Sequence, residues 1–308
     1  MRIVVLAGGI GGARFLLGVR AYAAERGDEV TAIINVGDDV WMHGLRICPD
    51  LDSVMYTLGG GIDPERAWGR ADESWKVKEE LAAYKAEPTW FGLGDRDLAT
   101  HLVRTNLLNA GVPLSSVTEK LCRRWEPGIT LLPASDDRVE THVIVDEGAI
   151  HFQEWWVRHR ARLPAKRFVF LGAEKASPAA GVVEALERAD VILLAPSNPV
   201  VSIAPILAVP GIREAMKAPI AGVSPIIGGA PVRGMADKCL SALEVEVSAR
   251  GVAGLYGDLL AAWLVDPVDK FEAEGGFAVV PVPLLMTDVE ATVAMVLAAI
   301  EEVADERS

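Results

Sequence analysis

The chain is poor in several things that would place it in large, familiar classes. It has only three cysteines, Cys48, Cys122 and Cys239, with no close pairing between them. That argues against a disulfide framework or a zinc site and leaves buried, reduced thiols. Positive charge is scarce: 30 Lys and Arg stand against 43 Asp and Glu, a formal net charge of −13. A nucleic-acid track needs clustered cations to release counterions. The basic clusters, at 122–124 and 158–162, are short enough to be solvated helix faces or a local anion contact. No apolar run reaches the ~18 residues that span a bilayer, and the start MRIVVLAGG is too short and glycine-rich for a signal peptide. A cytoplasmic protein with neither nucleic-acid nor membrane partners is expected. Internal repeats, low-complexity linkers, Ser–His–Asp arrangements, paired cysteines and histidine clusters are also missing.

What is present is a chain of 308 residues, 51% of them apolar, long enough to bury a large core. Arg2–Leu6 is an apolar run that stops at Gly8-Gly-Ile-Gly-Gly12, and Ala13–Ala24 then carries apolar residues at helical spacing. Strand, glycine turn and helix make the first unit of a doubly wound α/β sheet. Val30–Asn35 reads as the second strand, and 52–58 as a helix with Asp50 or Asp52 near its N-cap. Helices are expected over 74–84, 98–110 and 114–124, with Ser115 or Ser116 in the cap region of the last. Val139–Val145 and Ile150–Trp155 alternate about Glu147-Gly148, the pattern of a hairpin. Strands at 168–171, 191–195, 220–223 and 277–282, with helices over 179–189 and 289–303, restore the α/β rhythm. One domain, 1–308, is expected. It is a Rossmann-like, doubly wound, mostly parallel α/β sheet, with 75–162 as an inserted helical and hairpin lobe covering the substrate.

Four strand ends carry the chemistry: Gly8–Gly12, Gly37–Asp39, Ser197-Asn198 and Ser224–Gly229. In an open parallel sheet such ends line one edge, where ligands bind. The glycine turn sets amides at a helix N-terminus, which suits a phosphate. No lysine follows as in a Walker loop, and a tight turn without a ligand is the alternative. Asp38, Asp39, Asp50 and Asp52 cluster just past the second strand. Turn and cap chemistry accounts for Asp50 and for one of Asp38 and Asp39. The acids left over point to Mg²⁺, which takes one or two carboxylates with phosphate oxygens and water, or to a base. Trp90-Phe-Gly92 is either a platform for a flat heterocycle or core packing ahead of a helix capped by Asp97. His101 is expected to hold a carboxylate or a carbonyl. The Ser197 and Ser224 turns offer groups for a nucleotide, with Arg233 and Lys238 just beyond. Asn35 stands where a dinucleotide-dependent oxidoreductase would carry an acid for the ribose, which weighs against that class. Group transfer on a phosphate fits better than hydrolysis through a covalent nucleophile.

Six segments carry a resemblance: Gly8-Gly-Ile-Gly-Gly-Ala-Arg14, Asn35-Val-Gly-Asp-Asp39, Ile47-Cys-Pro-Asp-Leu-Asp-Ser53, Leu93-Gly-Asp-Arg-Asp-Leu-Ala-Thr-His101, Ser197-Asn-Pro199 and Ser224-Pro-Ile-Ile-Gly-Gly229. Together they resemble the 2-phospho-L-lactate transferase family over nearly the whole chain. Gly37-Asp-Asp-Val-Trp-Met-His-Gly44 and Trp90-Phe-Gly92 are most similar to its actinobacterial branch, the phosphoenolpyruvate transferases of coenzyme F-420 biosynthesis. The resemblance implies a Rossmann-like, usually dimeric enzyme that requires Mg²⁺. Such an enzyme moves the phosphoenolpyruvyl group of enolpyruvyl-diphospho-guanosine to the ribityl hydroxyl of the deazaflavin Fo (7,8-didemethyl-8-hydroxy-5-deazariboflavin). GMP leaves and dehydro-F-420-0 forms; in archaea the donor is the lactyl analogue.

The resemblance also implies roles. Asp38 and Asp52 serve catalysis, and Asp38, Asp50 and Asp52 hold Mg²⁺. Gly8, Gly9, Gly11 and Gly12 meet phosphate. Ser197, Asn198, Ser224, Ile226, Gly228 and Gly229 hold the guanosine diphosphate moiety. Asp52, Trp90, Phe91 and Gly92 contact Fo. Archaeal relatives carry a lysine where Gly92 stands, so any ligand contact made by that lysine falls here to a backbone group. A regulatory branch of the same superfamily binds a uridine diphospho-sugar. The 90–97 loop and the Asp50/Asp52 pair favour the enzyme, because a pure binder needs no acceptor site.

Overall fold

The structure, a computed structural model, describes residues 1–273 and 276–305. Residues 274–275 and 306–308 of the expected single unit lie outside the described residues. The first strands are β1 (Arg2–Ala7), β2 (Glu29–Ile34), β3 (Val40–Met42), β4 (Leu45–Ile47), β5 (Thr130–Pro133), β6 (Glu140–Val145) and β7 (Gly148–His151). They are followed by β8 (Arg167–Leu171), β9 (Val191–Leu194), β10 (Ile220–Val223), β11 (Ile226–Ile227), β12 (Ala230–Pro231), β13 (Ala262–Val265) and β14 (Ala278–Pro281). A seven-stranded sheet runs β14-β13-β10-β9-β1-β2-β5, with every neighbouring pair parallel. From β1 the chain moves outward to β2 and β5, then returns on the other side for β9, β10, β13 and β14. The switch point, where open α/β sheets bind ligands, lies between β1 and β9.

The interior strands are almost wholly apolar and buried, as a parallel sheet covered by helices on both faces requires. Helix α1 (Gly9–Arg26) begins inside the glycine turn itself. It lies so close to the helix Val289–Asp305 that a Cβ on Gly18 would come within 2.4 Å of Thr292 Cγ2. Helix α2 (Pro49–Leu58) opens with proline at its first position, where a missing N–H costs nothing. Its N-cap is Cys48, and Asp50 and Asp52 follow close behind, near the cap as expected. Both lie in the first turn, where negative charge complements the helix dipole. Further along are α3 (Lys76–Ala83), α4 (Asp95–Asn109) and α5 (Leu114–Trp125). Asp97 does not cap α4. The Glu73 carboxylate does so, accepting the N–H groups of Arg96 and Asp97 at 2.8 and 2.7 Å.

Two strands of the central sheet escape the sequence pattern. β5 is four residues ending in Pro133 on the sheet edge, the place where proline is tolerated. β13, AWLV, lies inside the unbroken apolar run Leu259–Val265, with no turn residue to mark its start. Because β5 lies inside 75–162, that segment supplies an edge strand of the main sheet as well as a lobe. Conversely, the strand at 168–171 does not continue the parallel sheet. It becomes β8 of a separate antiparallel sheet, β7-β6-β8. β8 is half-exposed along its length, which suits a one-sided antiparallel sheet and not a doubly covered parallel one. Among the described residues no helix is long and apolar enough to cross a membrane.

Candidate active site

The four chemistry-bearing ends belong to four adjacent strands, β10, β9, β1 and β2. At the switch point, the Ser197 hydroxyl accepts the Gly8 N–H at 3.1 Å and donates to Gly8 O at 2.7 Å. The approach is tight: a Cβ on Gly11 would sit 2.7 Å from Pro196 O, and one on Gly12 2.7 Å from Ser197 Oγ. Asn198 Oδ1 accepts the N–H groups of Val200 and Val201 at 3.0 and 3.3 Å. The Ser224 hydroxyl closes on Ile226, accepting its N–H at 3.1 Å and donating to its carbonyl at 2.9 Å. Gly228 and Gly229, at φ 59° and 78°, form the two-residue turn between β11 and β12. The structure therefore gives the Ser197 side chain to tying its turn to the glycine turn, and those of Asn198 and Ser224 to shaping their own turns.

At the end of β2, fully buried Asn35 organises two of the four acids. Its Nδ2 lies 2.9 Å from Asp50 Oδ2, 3.2 Å from Asp38 Oδ1 and 3.1 Å from Val201 O. Its Oδ1 accepts the Gly37 N–H at 2.8 Å. Gln153 Nε2 donates to Asp38 Oδ2 at 3.1 Å, and the Gly9 N–H bonds the Asp50 carboxylate. Asp38 and Asp50 are only 6% and 4% exposed. Burial, and then the nearby Asp50 charge, push the Asp38 carboxyl well above the usual carboxylate range; burial raises Asp50 as well. Among the described residues, neither acid forms an ion pair, and the strongest influences on them are burial, amides and other carboxylates. Two buried acids that share an amide beside a helix N-terminus, without an ion-pair partner, fit a hard divalent cation and the phosphate oxygens it would carry.

Asp39 and Asp52 are placed differently. Asp39 pairs with Arg46 at 3.1 Å, and Arg46 lies 3.6 Å from Glu140. Burial pushes Asp39 up to about 6 against the pull of Arg46. Asp52 is two residues from Asp50 on α2, and such positions do not share a helix face. Its two oxygens accept from Arg104, one from Nη1 at 3.0 Å and the other from Nη2 in a shorter contact. Arg104 is 1% exposed; burial alone would lower its guanidinium, but Asp52 holds it above its ordinary value. His101 Nδ1 lies 3.1 Å from Arg104 Nη1, and its Nε2 3.3 Å from Asp97 Oδ2. The other Asp97 oxygen accepts the Tyr56 hydroxyl at 2.6 Å. His101 faces carboxylates, as its sequence context suggests. Ligand atoms of Asp52, Asp97 and His101 lie within 4.8 Å of one another, a spacing that suits a metal, but Arg104 already compensates this group. The expected trio Asp38, Asp50 and Asp52 is thus divided between two environments.

Trp90 and Phe91 meet edge to face at 5.9 Å. Half-buried, they pack on Met42, Ile47, Leu93 and Leu98, between the β3–β4 hairpin and the start of α4. A Cβ on Gly92 would lie 3.4 Å from the Trp75 ring and 3.5 Å from that of Trp68. Trp68 is 42% exposed, leaving an open aromatic face beside this loop.

Comparison with known proteins places this edge in a family. Residues 3–275 match the family model described as 2-phospho-L-lactate transferase CofD. The chain belongs to that family. It is 57% identical over 322 residues to a phosphoenolpyruvate transferase of Mycolicibacterium smegmatis, covering 98% of each chain. The protein of the same name from Thermobifida fusca is 59% identical over 313 residues, covering 98% of this chain and 97% of its own. That from Streptomyces griseus is 60% identical over 313 residues, covering 98% of each. Among solved structures, protein BH3568 of Bacillus halodurans, a member of the UPF0052 family, gives a TM-score of 0.62 at 18% identity. The match covers 97% of this chain and 99% of that one, and shows likeness of fold alone.

Asn35, Arg46, Arg104 and Gln153 are site neighbours that pattern reading does not select. Asn35 carries a signal, a polar residue closing a buried strand. Arg104 is 52 residues from Asp52, and in sequence it looks like any arginine on a helix.

Proposed function

We propose that this family member transfers the phosphoenolpyruvyl group of enolpyruvyl-diphospho-guanosine to the ribityl hydroxyl of Fo, giving GMP and dehydro-F-420-0. The observation that carries this reading is the Asp38–Asp50 pair, buried with no ion-pair partner among the described residues at the carboxyl edge beside the switch point. Asp38 and Asp50 would hold Mg²⁺, which when bound neutralises diphosphate oxygens. The Gly8 N–H is held by Ser197 and that of Gly9 by Asp50. The remaining first-turn amides, those of Ile10 and Gly11, are left for phosphate.

Asp38 orients the ribityl hydroxyl and takes its proton. The new P–O bond forms at the phosphorus that bears the enolpyruvyl oxygen, and the bond from that phosphorus to GMP breaks. Positioning and charge compensation supply most of the rate in such a transfer. Backbone groups of the Ser197-Asn198 turn and of the β11–β12 hairpin hold the guanosine. Asp52, set by Arg104, and the Trp90–Gly92 loop face Fo. A cytoplasmic homodimer is part of the proposal.

Relatives named phosphoenolpyruvate transferase support the enolpyruvyl donor over the lactyl one. The test is a fluorescence titration of Fo with and without GDP and Mg²⁺, followed by mass spectrometry of the product with each donor. Saturable Fo binding strengthened by GDP and Mg²⁺, and dehydro-F-420-0 from the enolpyruvyl donor, is the expected result. No Fo binding under any condition would overturn the reading. Product from the lactyl donor alone would overturn the choice of donor.

A further inference from the structure

The antiparallel lobe enters the site through one side chain that the cation-and-phosphate reading does not use. Gln153 follows β7 and is 5% exposed. Its Nε2 donates to Asp38 Oδ2 at 3.1 Å, while Asn35 Nδ2 reaches Asp38 Oδ1 at 3.2 Å. Each oxygen of Asp38 therefore meets an amide, and the two amides come from different sheets. One such bond would leave the carboxylate free to turn about its terminal torsion, which is broad for Asp. Bonds at both oxygens fix its plane.

Gln153 is itself held firmly. Its N–H donates to His151 Nδ1 at 3.1 Å, so the His151 proton sits on Nε2, which donates to Asp39 O at 3.2 Å. Burial supports that neutral ring, lowering His151 to about 4. On the neighbouring strand, the Thr141 N–H donates to Gly37 O at 2.7 Å. Three contacts from β6 and the end of β7 thus reach the 37–39 turn. The donor type matters as well. Arg104 brings Asp52 a full positive charge, whereas an amide orients Asp38 without neutralising it, leaving its charge for a cation.

We propose that Gln153 is a positioning residue that fixes the Asp38 carboxylate plane for divalent-cation binding, so that the antiparallel lobe completes the site. This rests on the reading of Asp38 given above. Partners in this outer layer typically change metal affinity or activity by about 10–100-fold when removed.

The test is Mn²⁺ binding, followed by electron paramagnetic resonance in the presence of GDP, for wild type, Asp38→Asn, Gln153→Met and Gln153→Asn. Met keeps the length and loses the donor; Asn keeps the amide and draws it back by one methylene. Wild type binds Mn²⁺ and Asp38→Asn does not. Both Gln153 variants bind roughly 10–100-fold more weakly, with kcat falling in parallel and KM for Fo moving by less than about twofold. If either folded Gln153 variant binds Mn²⁺ like wild type while Asp38→Asn does not, the positioning role is overturned and the Asp38 reading stands. If wild type binds no Mn²⁺, both fall.

Discussion

Two pairs of acids flank the start of α2, and they differ mainly in what faces them. Asp38 and Asp50 are tied by neutral amides and, among the described residues, have no ion-pair partner. Asp52 and Asp97 meet Arg104, His101 and Tyr56. By spacing alone, the second group, with His101, is the better metal cage. By charge, the first is the one left incomplete. A buried acid paired with a buried guanidinium is a scaffold that is costly to break. Buried acids without a counter-charge are a standing cost to the fold, retained where a ligand supplies the missing charge. On the proposed reading, proximity of carboxylates is a weaker guide to a cation site than the lack of an ion-pair partner.

Substitutions can pull the two groups apart. The largest effect is expected for Asp38→Asn: turnover falls roughly 10³-fold, the upper range for removing one charge-stabilising group. Its melting temperature stays level or rises, because a buried like-charge contact is relieved. Calorimetry beside a product assay checks both. Arg104→Met should do the reverse. Leaving Asp52 buried and unpaired costs about 3–5 kcal/mol of stability in denaturant unfolding, while protein that remains folded keeps its Mn²⁺ binding.

A smaller effect concerns pH. His151 titrates at about 4 in the folded protein against 6.5 ordinarily, so the unfolded chain takes up the proton first as pH falls. The His151 contribution is complete above 6.5 and is lost as pH falls toward 4. Asp39, raised to about 6, acts in the opposite sense, its contribution being lost as pH rises from 3.8 through about 6. Comparing unfolding at pH 7 and pH 5, His151→Gln should flatten the acid-side loss by about 1 kcal/mol, after a discount for the partial exposure of the ring. Smallest is Trp90→Ala. It should raise KM for Fo several-fold, with KM for the donor unchanged; equal effects on both would make the loop a packing element alone.

Much of the edge was legible in the chain. Strand ends rich in glycine, serine and aspartate fall on neighbouring strands, and the parallel direction of those strands brings the ends to one side. β5 and β13 were not: β5 ends in a proline, which argues against a strand, and β13 lies inside the unbroken apolar run Leu259–Val265, with no turn residue to mark its start. The acids were visible, but their division was not, since Asp50 and Asp52 look like one cluster until α2 turns them to different faces. Their partners come from far away: Arg104 from α4 and Gln153 from the antiparallel lobe, at separations of 52 and 115 residues. Only tertiary packing brings such residues together. Gln153 sits in the run HFQEWW, where its aromatic neighbours draw attention to packing.

The placement of the cation between the two acid groups is decided by Mn²⁺ titration of Asp50→Asn and Asp97→Asn, each with GDP present. Asp50→Asn is expected to lose at least about tenfold in affinity, while Asp97→Asn binds as wild type does. Loss in Asp97→Asn with retention in Asp50→Asn would move the cation to the Asp52–Asp97–His101 group and contradict its placement at Asp38 and Asp50.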